Sequence, residues 1–242
     1  MTALKILVIA DAHYVDKAQT CPKPDIHTRL RLEFLKIIGR RHVAREKPDV
    51  IVLAGDLVND GLATGVVDDW NSIKTVIKAM GVPSIFIPGN RDADYKTFFS
   101  VFEDSPGPHF IREFIIYTFA DKYLEDKTST REVEEINKFN ATANKYPGKK
   151  IIAFQHSPVY PPIKSDYPYN PINAGEIQDC YAKNRVILSV SGHYHKYLSL
   201  TFKDGVGYLT TPALCCEPFN YISIKIAENK IHTELLSCGP VG

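Results

Sequence analysis

Leu4-Lys-Ile-Leu-Val-Ile-Ala10, followed at once by Asp11 and His13, is the stretch on which the fold turns. It is nearly continuous, apolar and rich in β-branched residues, as in a strand buried on both faces, and it stops on a carboxylate and an imidazole. Val50-Ile-Val-Leu-Ala54 repeats the pattern and ends on Gly55-Asp56. Between them, from Thr28 to about Glu46, Leu30, Phe34, Ile37 and Ile38 recur at helical spacing, and Pro48 stops the run. Strand, helix and strand make a βαβ unit. A second helix, over about 66–80, leads through Gly81 and Pro83 to a strand at 84–88, so the first half reads as doubly wound with a largely parallel sheet.

Further along, Phe110 to Phe119 reads as a strand, and Ser129-Thr-Arg-Glu132 as a capping box opening a helix that ends near Tyr146. A strand over 151–154 precedes a proline- and tyrosine-rich loop, Ser157 to Asn173, a short helix over 175–183 and a strand over 185–190. Short strands follow at 197–202, 206–210, 221–226 and 231–235, with turns at Asp204-Gly205 and Glu228-Asn229. No repeat or linker-like tract divides the chain, which reads as one domain over 1–242.

Of the 242 residues, 44% are hydrophobic and 24% charged, a balance that excludes intrinsic disorder. Lys plus Arg number 29 against 28 Asp plus Glu, so the net charge of +1 offers no long-range attraction to nucleic acid or to an acidic membrane. The apolar runs are strand-sized, far short of the roughly 20 residues that span a bilayer. Met1 to Ala10 is cut by Lys5 and lacks a small-residue cleavage site, unlike a secretory signal. The five cysteines (Cys21, Cys180, Cys215, Cys216 and Cys238) are odd in number and show no C-x-x-C pair, which implies a reducing, cytoplasmic setting.

The polar residues that interrupt the strand pattern fall just past strand ends: Asp11 and His13, Asp56, Asn90, His156, then His193 and His195. Sites in α/β sheets form beyond the carboxyl ends of strands, where loops distant in sequence converge. Taken singly, each residue has an ordinary explanation. An Asp after a strand caps a helix, a His before Ser-Pro bonds within its loop, and H-x-H on a strand merely places two rings on one face.

Together, Asp11-x-His13, Gly55-Asp56 with Gly61 behind it, Gly89-Asn90, His156 and Gly192-His-x-His195, in this order, resemble the calcineurin-like metallophosphoesterase family from about residue 4 to 218. The resemblance implies an α/β sandwich of two mixed β-sheets flanked by helices. It implies two divalent metal ions, one held by Asp11, His13 and His195, the other by Asn90, His156 and His193, with Asp56 bridging. Oxygen donors mixed with imidazoles suit Mn, Fe or Zn. Two such ions about 4 Å apart clamp a phosphoryl group and generate a hydroxide that attacks phosphorus.

Where the family usually reads Gly-Asn-His-Asp or Gly-Asn-His-Glu, this chain has Gly89-Asn-Arg-Asp92. Arg91 cannot act as a general acid, but its planar fork suits phosphate oxygens. Asp92 either steadies that guanidinium or makes a surface salt bridge worth about 0–1 kcal/mol. Asp56, Asn90, Arg91 and Asp92 are therefore the catalytic candidates. The loop Tyr160-Pro-Pro-Ile-Lys-Ser-Asp-Tyr-Pro-Tyr169, together with Tyr14 and the segment 16–28, could wall the site or merely cover the surface. Size and the Thr211-Pro-Ala213 to Tyr221 ending resemble bacterial phosphodiesterases that include class III cyclic-nucleotide enzymes. The expected substrate is a small phosphodiester, a cyclic nucleotide among the candidates. The alternatives are a phosphomonoester, or a silent scaffold such as the retromer small subunit, which resembles this family too. A double-strand-break nuclease shares the motifs, but this chain shows neither the added DNA-gripping regions nor the converging basic residues of strong nucleic-acid binding.

Overall fold

In the computed structural model, residues 3–16, 31–228 and 230–239 are described. The chain runs β1 (Leu4–Ile9), α1 (Arg31–Ile38), a π-helical turn (Gly39–Val43), α2 (Ala44–Glu46), β2 (Val50–Ala54), α3 (Val66–Lys78), β3 (Ser84–Ile87) and α4 (Tyr95–Phe102). Next come β4 (Gly107–Ile111), β5 (Phe114–Thr118), β6 (Lys122–Tyr123), β7 (Ser129–Thr130), α5 (Val133–Lys145), β8 (Lys150–Phe154) and α6 (Ala174–Lys183). The remainder is β9 (Val186–Ser191), β10 (Leu198–Lys203), β11 (Val206–Thr210), β12 (Asn220–Ala227) and β13 (Lys230–Ser237).

Two mixed sheets pack face to face. The first has the order β13-β12-β1-β2-β3, with β1, β2 and β3 parallel and β12 antiparallel to β1. The second has the order β10-β11-β9-β8-β5-β4, parallel at its centre and closed at both edges by antiparallel strands. Period-two alternation sends Ile6, Val8, Val50 and Val52 toward Ile116, Ile152, Leu188 and Val190 of the opposing sheet. The other face of the first sheet, with Leu7, Ile9, Ile51 and Leu53, is covered by Leu35 of α1, Trp70 and Ile73 of α3 and Phe98 of α4. The outer face of the second sheet packs Tyr117, Ile151 and Ala153 on Phe139 of α5 and Tyr181 of α6. The layers run helix, sheet, sheet, helix.

This corrects the doubly wound reading of the first half. Helices α1 and α3 lie on the same face, because the second sheet occupies the other. A strand buried on both faces has the same sequence whether a helix or a sheet covers it. The expected strand over 110–119 is a hairpin, β4 and β5, turning at Arg112, which has φ 52°. The expected capping box does not form: Ser129 and Thr130 enter β7, the Ser129 hydroxyl donates to Ser157 Oγ at 3.1 Å, and α5 starts at Val133 without a side-chain cap. Helix α4 had no counterpart in the sequence reading, although Asp94 caps it by accepting from the Thr97 N–H at 3.1 Å. The start expected at Thr28 and Leu30, the segment 17–28, Cys21 and Asn229 lie outside the described residues.

Behind the second sheet, a buried polar knot steadies the strand that carries His156. Arg131 donates through Nε to Asp121 Oδ1 at 2.9 Å and through Nη1 to the Tyr181 hydroxyl at 2.5 Å, with its guanidinium 3.7 Å from the Phe119 ring centre. The Tyr181 hydroxyl in turn donates to Gln155 Oε1 at 2.7 Å, directly before His156. Removing one partner of a buried ion pair leaves the other charge uncompensated. Arg131→Ala is expected to destabilise the fold by about 3–5 kcal/mol, read as a lower urea midpoint with an unchanged m value; a loss under about 1 kcal/mol contradicts the assignment.

Candidate metal centre

The five loops meet where the two sheets join. Asp11 and His13 leave β1, Gly55-Asp56 leaves β2, Gly89-Asn90 leaves β3, His156 leaves β8, and His193 and His195 leave β9. Asp11, His13, Asp56, His193 and His195 all have φ between 47° and 67°, the left-handed region that L residues avoid. Such strain gathered at one place marks a functional constraint rather than a folding need. The glycines beside these residues give them room. A Cβ on Gly55 would stand 2.3 Å from His156 Nδ1, and one on Gly89 would stand 2.2 Å from Asp56 Oδ1.

The donors sort into two overlapping groups. Asp11, His13 and Asp56 form one, and Asp56, His156 and His193 form the other, each with its ligand atoms within 4.8 Å of one another. Asp56 belongs to both. His195 Nε2 joins the first group, 3.2 Å from His13 Nε2 and 3.3 Å from Asp11 Oδ1. Asp11 Oδ1, Asn90 Oδ1, His156 Nε2 and His193 Nε2 are buried, and none makes a hydrogen bond among the described residues. Native proteins seldom leave such atoms unmet. These are the atoms that cations would engage, and their opposite sides are already tied down. His156 Nδ1 pairs with the Ala54 carbonyl at 2.7 Å, leaving Nε2 as the free donor. Asp11 Oδ2 accepts from the His193 N–H at 3.0 Å, and Asp56 Oδ1 accepts from the Arg91 N–H at 2.7 Å.

Without cations, protons balance the two carboxylates. Burial alone would raise Asp11 and Asp56, but His156 and the neighbouring imidazoles hold both below the usual carboxylate range. Burial works to lower His156, and Asp56 with Asp11 outweighs it, raising the imidazole to about 9. His195 is likewise raised to about 10 against burial by Asp11 and Cys216. Burial wins at His13 and His193, lowered to about 4 and about 3, so these two rings are already neutral and ready to ligate.

The structure brings together Asp11, His13, Asp56, Asn90, His156, His193 and His195, and Arg91 lines the cavity above them. Asp92 is corrected. It neither steadies the Arg91 guanidinium nor lies at the surface. It is fully buried, accepting from the N–H groups of Leu57, Val58 and Gly89 at 3.0–3.2 Å and from Trp70 Nε1 at 3.3 Å. It clamps the Asp56 loop to the Asn90 loop, a positioning role that the sequence alone hides. Burial and the charge of Asp56 push its carboxyl up to about 7, against the pull of those amides.

Sequence reasoning also missed residues that line the centre. Tyr123 lies with its ring centre 6.0 Å from His193, and Tyr194, Lys196, Cys216 and Glu217 line the cavity. The tyrosine loop does wall the site: Tyr167 and Tyr169 have ring centres 5.5 and 5.3 Å from His193. Asn170 holds that loop in shape, donating to the carbonyls of Pro158 and Pro161 and accepting from the Ile163 N–H at 2.7 Å. Tyr160 instead packs on Tyr208, and Tyr14 is in the core.

Comparison with known proteins gives the family and the fold. Residues 4–197 match the profile of the calcineurin-like phosphoesterases, and the chain belongs to that family. It is 26% identical over 212 residues to a probable cyclic nucleotide phosphodiesterase of Fibrobacter succinogenes, covering 86% of this chain and 78% of the relative. It is 25% identical over 220 residues to a probable glycerophosphodiester phosphodiesterase GpdQ of Arcobacter nitrofigilis, covering 85% and 76%. Among solved structures, a dimetal phosphatase from Danio rerio superposes with a TM-score of 0.76 at 13% identity, covering 97% of this chain and 96% of that one. The expected fold is thus present, and the family supports phosphoric ester hydrolysis. Among the described residues no helix is long and apolar enough to cross a membrane.

Two of the four imidazoles must give up protons before they can ligate. In the metal-free protein their pairing with the carboxylates contributes stability that is present below about pH 6.5 and is lost as pH rises through about 9 and about 10. Adding Mn²⁺ to chelator-stripped protein at pH 8 is expected to release at least about two protons per chain, measured with an indicator dye in weak buffer. Metal uptake without proton release contradicts this balance.

Proposed function

We propose that the protein is a dinuclear metal-dependent phosphodiesterase acting on small diesters, cyclic nucleotides among them. Support comes first from the paired donor groups sharing Asp56 at the floor of a cavity of about 510 Å³. In this reading Asp11, His13 and His195 hold one ion, Asn90, His156 and His193 hold the other, and Asp56 bridges. The donor set suits Mn²⁺, Fe²⁺ or Zn²⁺. Two such ions would supply the positive charge that grips phosphoryl oxygens and the Lewis acidity that activates water.

The remaining roles belong to the chain. Asp56 is fixed by the Arg91 N–H, so the main chain of residue 91 sets the bridging carboxylate while its side chain is free for substrate. The Arg91 guanidinium shares the cavity with Tyr167, Tyr169 and Tyr194. A cation beside aromatic faces suits a phosphate that carries a flat ring, which favours a nucleoside diester over a bare phosphate. Lys196 adds a second positive group at the rim, 5.6 Å from the Tyr194 ring. With net charge near zero, this field is local, which favours a small ester over a nucleic-acid strand.

No imidazole stands at position 91, so the chain lacks the usual proton donor for the leaving group. Chelator-stripped protein reloaded with Mn²⁺, Fe²⁺ or Zn²⁺ is expected to cleave bis(p-nitrophenyl) phosphate faster than p-nitrophenyl phosphate, with the activity lost in Asp56→Asn. A preference for the monoester reassigns the substrate, and silence with every metal supports the scaffold alternative. Arg91→His should speed cleavage of diesters with poor alkyl leaving groups by roughly 10²-fold relative to aryl diesters. An unchanged leaving-group dependence contradicts the account of Arg91.

A further inference from the structure

Cys215 and Cys216 belong to none of the motifs that announce the centre, yet the fold delivers both to it. Past β11 the chain lies beside the Asp11 loop: Ala213 bridges Ala10, the Leu214 N–H donates to the Ala10 carbonyl at 2.9 Å, and the Cys215 N–H donates to the Asp11 carbonyl at 3.0 Å. The Ala213 N–H donates to the His195 carbonyl at 3.2 Å, tying the same segment to the other ligand loop. Main-chain bonds therefore hold Cys215 against both sources of the first donor group. Its Sγ and one ring nitrogen from each of His13 and His195 all lie within 4.8 Å of one another. Cys216 Sγ stands 3.9 Å from His195 Nδ1, on the side of the ring away from the Nε2 that faces Asp11.

We propose that Cys215 supplies a thiolate to the ion held by Asp11, His13 and His195. The two halves of the centre then differ in softness. One half combines carboxylate, imidazole and thiolate, while the other, sharing the bridging Asp56, has only oxygen and imidazole donors, with Asn90, His156 and His193. Ligand atoms gathered within 4.8 Å of one another suit a shared ion, and an ion at this place would be held by Asp11, His13, His195 and Cys215 together with the bridging Asp56. Asp11 Oδ1, buried and without a hydrogen bond among the described residues, lies 3.3 Å from the His195 Nε2 of this group. The thiol gives its proton to solvent as the ion binds. Cys215 and Cys216 form no disulfide, and their sulfurs meet in an S–H···S contact at 3.7 Å that ion binding to Cys215 would replace. Cys216 acts instead as the outer partner of His195, orienting its ring. Thiolate ligation favours Zn²⁺ over Mn²⁺ in this half alone, so the protein should prefer a mixed pair of ions.

The inference rests on the reading of the site as a metal centre, and cobalt separates the two. Stripped protein reloaded with Co²⁺ should show visible cobalt bands together with a near-ultraviolet thiolate-to-cobalt band. In Cys215→Ser the near-ultraviolet band should vanish while visible bands remain, and Zn²⁺ affinity at one of the two positions should fall by about tenfold or more. Cys216→Ser should keep the near-ultraviolet band. Visible bands without it, or its survival in Cys215→Ser, overturn the proposal while leaving the metal centre intact; absence of any cobalt bands overturns both.

Discussion

The structure depends on two carboxylates, Asp11 and Asp56, buried 3 to 4 Å from shared imidazoles at the junction of two sheets. Like charges so placed repel, and burial makes the repulsion costly. Only a compensating positive charge makes the arrangement tenable, whether protons on His156 and His195 or divalent ions in their place. Much of the surrounding architecture serves to hold this unfavourable cluster. The parallel strands end together, the ligand residues take left-handed backbone angles, and Asp92 and Gln155 anchor the loops from below.

The same constraint links the fold to the proposed chemistry. A protein with almost no net charge gains anion affinity only where positive charge is concentrated, and in the proposed function that place would be the paired ions at Asp56 with Arg91 on the cavity wall. The tyrosine wall offers ring faces without adding charge. In the proposed reaction, arginine at position 91 would trade proton transfer for phosphate contact, which would shift the burden of leaving-group departure onto the substrate. Specificity would then follow from leaving-group chemistry as well as from shape.

Much of this was legible in the sequence because chemistry and periodicity agree there. Asp11, Asp56, Asn90, His156, His193 and His195 interrupt apolar strands at their carboxyl ends, and nothing in a strand calls for them. What could not be read depended on partners distant in the chain. The burial of β1 and β2 on both faces did not say whether helix or sheet covered them, so the doubly wound reading placed a helix where the second sheet lies. Ser129 looked like a cap because the Ser157 hydroxyl that claims it is 28 residues away. Asp92 looked like a partner for Arg91, yet three of its four donors, on Leu57, Val58 and Trp70, come from two other segments, as tertiary contacts override local pattern. Cys215 carried no signal, since it reaches the centre only through main-chain pairing with Ala10 and Asp11.

The most direct test of the central claim is the metal content of the reconstituted protein, weighed intact by native mass spectrometry. The account predicts two divalent ions per chain in the wild type, with Asp56→Asn unable to keep both. A wild type that binds one ion or none, or an Asp56→Asn variant that retains two, would contradict the account of a paired centre bridged by Asp56.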